Sequence, residues 1–161
     1  MNFQEWFRIG MKRDLNPLVP PRGIQITVGG SEVTDNQLYR PHWDALRHGL
    51  PYRAETIGTI WCNHFLEHLP GNRAVEMLWE FERVLMPGGV ANIVVPYYRS
   101  HLQAQDLDHK SFWNESTWSN LFANKYYKDH GEGWKLDVNF CLIAGVVERN
   151  LSMFTQLQRL M

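Results

Sequence analysis

Residues 50–96 read LPYRAETIGTIWCNHFLEHLPGNRAVEMLWEFERVLMPGGVANIVVP. Three elements stand out in this run. Ile57, Ile60, Trp61 and Cys62 form a short apolar stretch, which reads as a buried strand over 56–62. Over 72–86, Ala74, Leu78, Phe81 and Leu85 fall on one face at helical spacing. Met77 and Val84 widen that face, while Glu76, Glu80 and Arg83 lie off it,. Pro87-Gly88-Gly89 supplies a helix stop,. "VANIVVP" (90–96) is β-branched and too apolar for a solvated face,. Strand, helix and strand in this order predict a right-handed parallel crossover, the unit of an α/β sheet.

Between the first strand and the helix lies "HFLEHLP" (64–70), which contains the pattern H-x-x-E-H. On a regular helix, His64 and His68 would stand one turn apart and could share a metal with a hydrolytic role. Pro70 and Gly71 follow at once and oppose a long helix through the two histidines,. A zinc hydrolase also needs a third ligand and an open position. Glu76, Glu80 and Asp108 are acids that could serve, but none belongs to a second recognisable motif. The favoured reading is a strand–helix junction without a metal.

Outward from this centre, "IQITVGG" (24–30) is a β-rich run ending in Gly29 and Gly30, and a strand entering a glycine turn is where an α/β sheet often meets a ligand,. Residues 2–13 carry Phe3, Trp6, Phe7 and Met11 on one helical face, and "NPLVPPRG" (16–23) is a connector by its prolines,. Residues 31–55 are mostly polar, with a short strand or turn expected around His42 to Leu46. After Pro96 comes an aromatic, polar segment with a helix expected from Glu115 to about Tyr126, capped by Ser116 or Thr117,. Residues 134–160 read as two strands joined near Gly145 or Arg149–Asn150.

The chain of 161 residues suits one domain (1–161): a helix and connector over 1–23, a sheet core over 24–96, a lid-like aromatic segment over 97–130 and closing strands over 131–161,. A formal charge of −1 gives no general electrostatic case for nucleic acid,. Cys62 and Cys141 make neither a disulfide framework nor a zinc ribbon, which suits a reducing compartment,. No signal peptide is expected from the charged opening "MNFQEWFRIGMKRD", and "FCLIAGVV" is far short of the ~20 residues a spanning helix needs,. A cytoplasmic protein with no membrane contact is expected.

Four motifs within residues 50–96 occur together. Leu50-Pro51-Tyr52, Leu66-Glu67-His68-Leu69, Glu82-Arg83-Val84-Leu85 and Pro87-Gly88-Gly89 follow one another. In order and spacing they resemble the central stretch of class I S-adenosylmethionine-dependent methyltransferases. The resemblance implies an α/β, Rossmann-like fold: a mostly parallel sheet with antiparallel strands at its C-terminal end. It implies S-adenosylmethionine as cofactor and an unidentified methyl acceptor. Gly29 and Gly30 match the turn that receives the methionine carboxylate. Asp44, with Ala45 beside it, matches the adenine position. Cys62, Asn63 and His64 match the strand end that lines the methyl-transfer region. Asn63, His64 and His68 are the implied catalytic candidates, His68 as a general base. An equal reading gives Glu67 and His68 a structural role at the strand–helix junction. Asp108 and His109, in "DLDHKSFW", resemble an element that either touches an acceptor or anchors its own loop. Compact members of this type are found in bacteria and phages.

The sequence also departs from the family pattern. The usual glycine motif has an acid and alternating glycines, whereas this chain has "ITVGGSE". Only residues 31–43 separate Gly30 from Asp44, too few for a helix and both of the family's next two strands,. The sheet is therefore expected to be shortened on that side, perhaps to five strands. Glu32 and Asp35 are the only nearby acids where the family places its ribose-binding carboxylate. An uncovered edge makes homo-oligomerisation an expectation. Two functions follow: a minimal methyltransferase, or a methyltransferase-like fold without catalysis that serves as a binding or assembly module.

Overall fold

The computed structural model describes residues 23–28, 37–38, 48–123, 134–143 and 151–161. The expected N-terminal helix, Gly29, Gly30, Glu32, Asp35, Asp44 and Ala45 lie outside them. The described strands are β1 (Ile24–Val28), β2 (Gln37–Leu38), β3 (Ile57–Asn63), β4 (Leu85–Pro96), β5 (Trp134–Ile143) and β6 (Leu151–Arg159). They form one six-stranded sheet in the order β2-β1-β3-β4-β6-β5. The first four are parallel to one another, and β6 pairs antiparallel with both β4 and β5. The mostly parallel, Rossmann-like architecture is thus borne out. About five strands were expected; the described residues form six, with the two-residue β2 at the edge beside β1.

Helix α1 (Gly71–Val84) links β3 to β4. Its buried residues are Ala74, Met77, Leu78, Phe81 and Val84, the stripe read from the sequence. They pack on Ile57, Ile60, Ile93 and Val95 of β3 and β4 within a single core cluster. Full burial of each large aliphatic side chain stabilises by about 1.5–3 kcal/mol, so this face holds α1 in place.

The helix ends earlier than predicted, at Val84. Leu85 is already extended at φ −67° and ψ 140°. Pro87-Gly88-Gly89 therefore lies in an irregular entry to β4 instead of capping the helix. Ile57 pairs with Leu85, but Thr59 pairs with Val90, so the segment between them bulges from the ladder,. Close backbone approach permits this. A Cβ on Gly89 would lie 2.9 Å from the Met86 carbonyl oxygen and 3.1 Å from that of Gly58.

After β4, helix α2 (His101–Ala104) begins at Ser100, whose buried hydroxyl accepts from the Leu102 N–H at 3.0 Å. The same oxygen accepts from the Leu151 N–H at 2.9 Å, tying this turn to the start of β6. Helix α3 (Glu115–Ala123) is capped by Asn114 instead of Ser116 or Thr117. The Asn114 side-chain oxygen accepts from the Thr117 N–H at 2.9 Å, and the Thr117 hydroxyl accepts from the Asn114 N–H at 3.1 Å. This reciprocal pair satisfies two donors at once. Trp113, Trp118 and Leu121 join the core cluster, so much of the aromatic segment packs onto the body. Phe112 and Tyr98 are exposed. Among the described residues no helix is long and apolar enough to cross a membrane.

Candidate functional site at the strand ends

In sequence the chain leaves β1 towards β2 on one side, then returns to place β3 on the other side of β1. The strand order therefore reverses between β1 and β3, and ligands of open α/β sheets bind outside the carboxyl ends of the strands at such a point. Val28, the last residue of β1, is level with Cys62, the penultimate residue of β3. The next residues are Gly29 on one strand and Asn63 on the other.

The two β3 candidates face different surroundings. Cys62 is fully buried in the core cluster. Burial, and secondarily the Glu67 carboxylate, push its thiol well above the ordinary range. Its backbone is the part level with the crevice. Asn63 is half-buried, and its side-chain amide has no hydrogen-bond partner among the described residues. The amide is thus open to solvent or to a ligand beside the switch point,.

His64 takes φ 48°, unusual for a residue with a side chain,. Its N–H still donates to the Val94 carbonyl at 2.9 Å, so the strand ends by turning sharply while paired. A 3-10 turn over Leu66–His68 follows, and the chain is extended again at Leu69. His64 and His68 therefore do not share a helix face, and the arrangement of a zinc hydrolase helix is absent among the described residues.

Glu67 is the centre of the junction. Its side chain is 0% exposed, and Oε1 lies 3.2 Å from His64 Nδ1. With the proton on Nδ1, the carboxylate fixes the imidazole's orientation and leaves Nε2 as the basic nitrogen. Oε2 is buried without a hydrogen-bond partner. The Glu67 backbone carbonyl accepts from the N–H groups of Lys110 (2.7 Å) and Ser111 (3.1 Å). The Ser111 hydroxyl donates to the Leu66 carbonyl at 3.0 Å and accepts from Trp113 Nε1 at 2.8 Å. These bonds clamp the loop 106–113 onto the 64–70 junction.

That loop delivers His109, which the sequence analysis placed outside the catalytic set. His109 Nδ1 meets the Gln103 carbonyl at 2.9 Å, and Nε2 lies 4.0 Å from Glu67 Oε1 and 3.7 Å from Asp106 Oδ2. The His68 and His109 rings stand edge to face, 4.7 Å between centroids. His68 Nδ1 is 3.6 Å from Asp108 Oδ2. The Asp-x-x-His spacing of Asp106 and His109 was the available signal, and the loop both anchors itself and reaches the junction.

Fold and site together define a mostly parallel α/β protein whose strand order reverses between β1 and β3, with Asn63 and His64 at the end of β3. Residues 32–93 match the family model of the methyltransferase domain. By sequence, no curated protein matches. Among solved structures, a protein of Bacillus halodurans assigned as a methyltransferase is similar with TM-score 0.66 at 12% identity, over 99% of both chains. A SAM-dependent methyltransferase of Archaeoglobus fulgidus is similar with TM-score 0.61 at 13% identity, over 97% of this chain and 94% of that one. One from Methanosarcina mazei gives 0.52 at 15%, over 74% of this chain and 66% of its own. The resemblance to class I S-adenosylmethionine-dependent methyltransferases is therefore borne out: this chain has their fold and carries a match to their domain.

Proposed function

We propose that this chain is an S-adenosylmethionine-dependent methyltransferase whose transfer position lies at the carboxyl end of β3. The observation that carries this reading is the level ending of β1 and β3 at the switch point, with the half-exposed Asn63 amide beside it. In this reading Gly29 and Gly30 receive the methionine carboxylate, and Asp44 and Ala45 the adenine. Asn63 and His64 line the path of the methyl group. The sulfonium methyl is already activated, so holding the acceptor in line with the departing sulfur supplies much of the catalysis. The Glu67-oriented His64 is the group best placed to take a proton from an acceptor that carries one,.

Calorimetric titration of the chelator-treated protein with S-adenosylmethionine and S-adenosylhomocysteine tests the reading. Saturable binding weakened at least tenfold by Asp44→Ala supports it. Absence of binding at millimolar ligand overturns it and favours the non-catalytic module. What favours that second side is the departure read in the sequence, where only Glu32 and Asp35 stand near the position of the family's ribose-binding acid.

A further inference from the structure

We propose that Glu67, His68 and His109 form a binding site for a divalent transition-metal ion of the Zn²⁺ type. One carboxylate oxygen and one ring nitrogen from each histidine lie within 4.8 Å of one another. Tetrahedral Zn²⁺ with bonds of roughly 2.0–2.1 Å places its ligand atoms about 3.4 Å apart. The side chains therefore need to close by about an ångström, and His68, whose side chain is 33% exposed, has room to move.

Several independent features support a cation at this place. Glu67 is fully buried, and its Oε2 has no partner. A buried carboxylate oxygen without a donor is costly unless a cation neutralises it. His109 is oriented as a ligand would be. Its Nδ1 meets the Gln103 carbonyl, which fixes the tautomer and leaves the Nε2 lone pair between Glu67 Oε1 at 4.0 Å and Asp106 Oδ2 at 3.7 Å. A backbone carbonyl on the second nitrogen is the usual outer support of a metal-bound histidine. The exposed Asp108 carboxylate lies 3.6 Å from His68 Nδ1, beyond a hydrogen bond but near enough to close on it.

The ligand set also indicates the type of ion. Two imidazoles and one carboxylate suit zinc, cobalt or nickel, whereas magnesium and calcium prefer all-oxygen sites. Three protein ligands leave a fourth position for water or another group. The ion would join the 3-10 turn to the loop 106–111, so it would stabilise the junction beside β3. Its binding does not depend on whether the chain takes S-adenosylmethionine.

The test is titration of the chelator-stripped, full-length protein with Zn²⁺ alone, followed by calorimetry and thermal unfolding. One ion per chain and a rise in melting temperature are expected. His68→Gln and His109→Gln should each weaken binding at least tenfold and remove the melting shift. His101→Gln, on an exposed and separate histidine, should leave both unchanged. Glu67→Gln is buried and can fail to fold, so the half-exposed His68 variant carries the mutational test. Co²⁺ loaded into the unaltered chain should give a visible band of tetrahedral nitrogen–oxygen ligation. No saturable Zn²⁺ binding by folded protein, binding unaffected in both histidine variants, or thiolate-to-cobalt charge transfer would each overturn the site.

Discussion

Glu80 and Arg83, one turn apart on α1, close on each other and together grip the turn at Leu50. Arg83 Nη2 donates to Glu80 Oε2 at 2.8 Å and to the Leu50 carbonyl at 3.0 Å, while Nη1 donates to the Tyr52 carbonyl at 3.0 Å. Glu80 Oε2 in turn accepts from the Leu50 N–H at 2.8 Å. Two motifs more than thirty residues apart in sequence are thus one structural device: the Leu-Pro-Tyr turn is held by the helix that precedes the glycine pair.

Arg83→Met keeps the aliphatic stem and removes four hydrogen bonds, two to Glu80 and one each to the Leu50 and Tyr52 carbonyls. Each such bond contributes about 0.5–1.5 kcal/mol net, somewhat more where a charge takes part, so a loss of ~1–3 kcal/mol is expected after partial compensation by water. Urea unfolding followed by circular dichroism measures it. An unchanged midpoint would mean that the turn at Leu50 is held by packing alone.

The same pair predicts a pH dependence. The hydrogen bond from Arg83, reinforced by the Leu50 N–H, lowers the Glu80 carboxyl below its ordinary 4.5, against a smaller opposing effect of burial. A depressed folded-state value means that the contribution is complete above the unfolded value and fades as pH falls through the folded one. The pair is partly exposed to solvent, so the effect is modest,. The stability difference between the unaltered protein and Glu80→Gln should be constant from pH 7 to about 5 and shrink below about 4.5. A gap that persists undiminished at pH 3 would assign it to packing instead of charge.

The central crossover was legible because its signals are local. Ala74, Met77, Leu78, Phe81 and Val84 repeat at the helical period, and all are buried on α1. The end of the helix was less legible. Pro87-Gly88-Gly89 has the composition of a helix stop, and only the close contact of Gly89 with Gly58 makes it a strand bulge. The candidate site was half legible. Asn63 and His64 follow from their place at a strand end. Sequence alone leaves Glu67 between a structural and a catalytic reading, because its neighbour His109 arrives through a loop after the next strand. The H-x-x-E-H spacing of His64–His68 raised shared ligation by the two histidines, and Pro70-Gly71 already spoke against it. The φ of 48° at His64 turns the chain so that Glu67 and His109 become the neighbours instead.

That left-handed turn gives a separate prediction. A β-branched side chain at φ 48° clashes with its own backbone, whereas asparagine tolerates the region,. His64→Asn and His64→Val both lose the bond to Glu67, so the difference between them isolates the backbone. His64→Val should be less stable than His64→Asn by roughly 1–2 kcal/mol, read from denaturant midpoints. Equal midpoints would show that the turn is not strained.

Cys62 should be chemically silent in the folded state. Its thiol is fully buried, and burial followed by the Glu67 carboxylate raises its pKa well above 9.0. Thiolate is the reactive form, so alkylation by iodoacetamide at pH 8 should be at least 100-fold slower in the native protein than in urea. Mass spectrometry of the Cys62 peptide reads the rate directly. Fast native labelling would mean that the end of β3 opens frequently.

Gly88 and Gly89 should respond differently to the same substitution. Gly88 has φ 78°, and the nearest atom to an added Cβ is the Met161 sulfur at 3.5 Å, an ordinary contact. Gly88→Ala is therefore limited to backbone strain, about 1–2 kcal/mol, and Gly88→Asn should recover part of it. At Gly89 the obstacle is space. An added methyl meets the Met86 and Gly58 carbonyl oxygens at 2.9 and 3.1 Å, and neither is a side chain that can swing away. Gly89→Ala must displace β4 from β3 beside the bulge, so it should lose more stability than Gly88→Ala, and Gly89→Asn should be worse still. Denaturant midpoints of the four variants decide it. If asparagine rescued position 89 as well as position 88, the requirement there would be conformational, and the close approach of the two strands would not be what selects glycine.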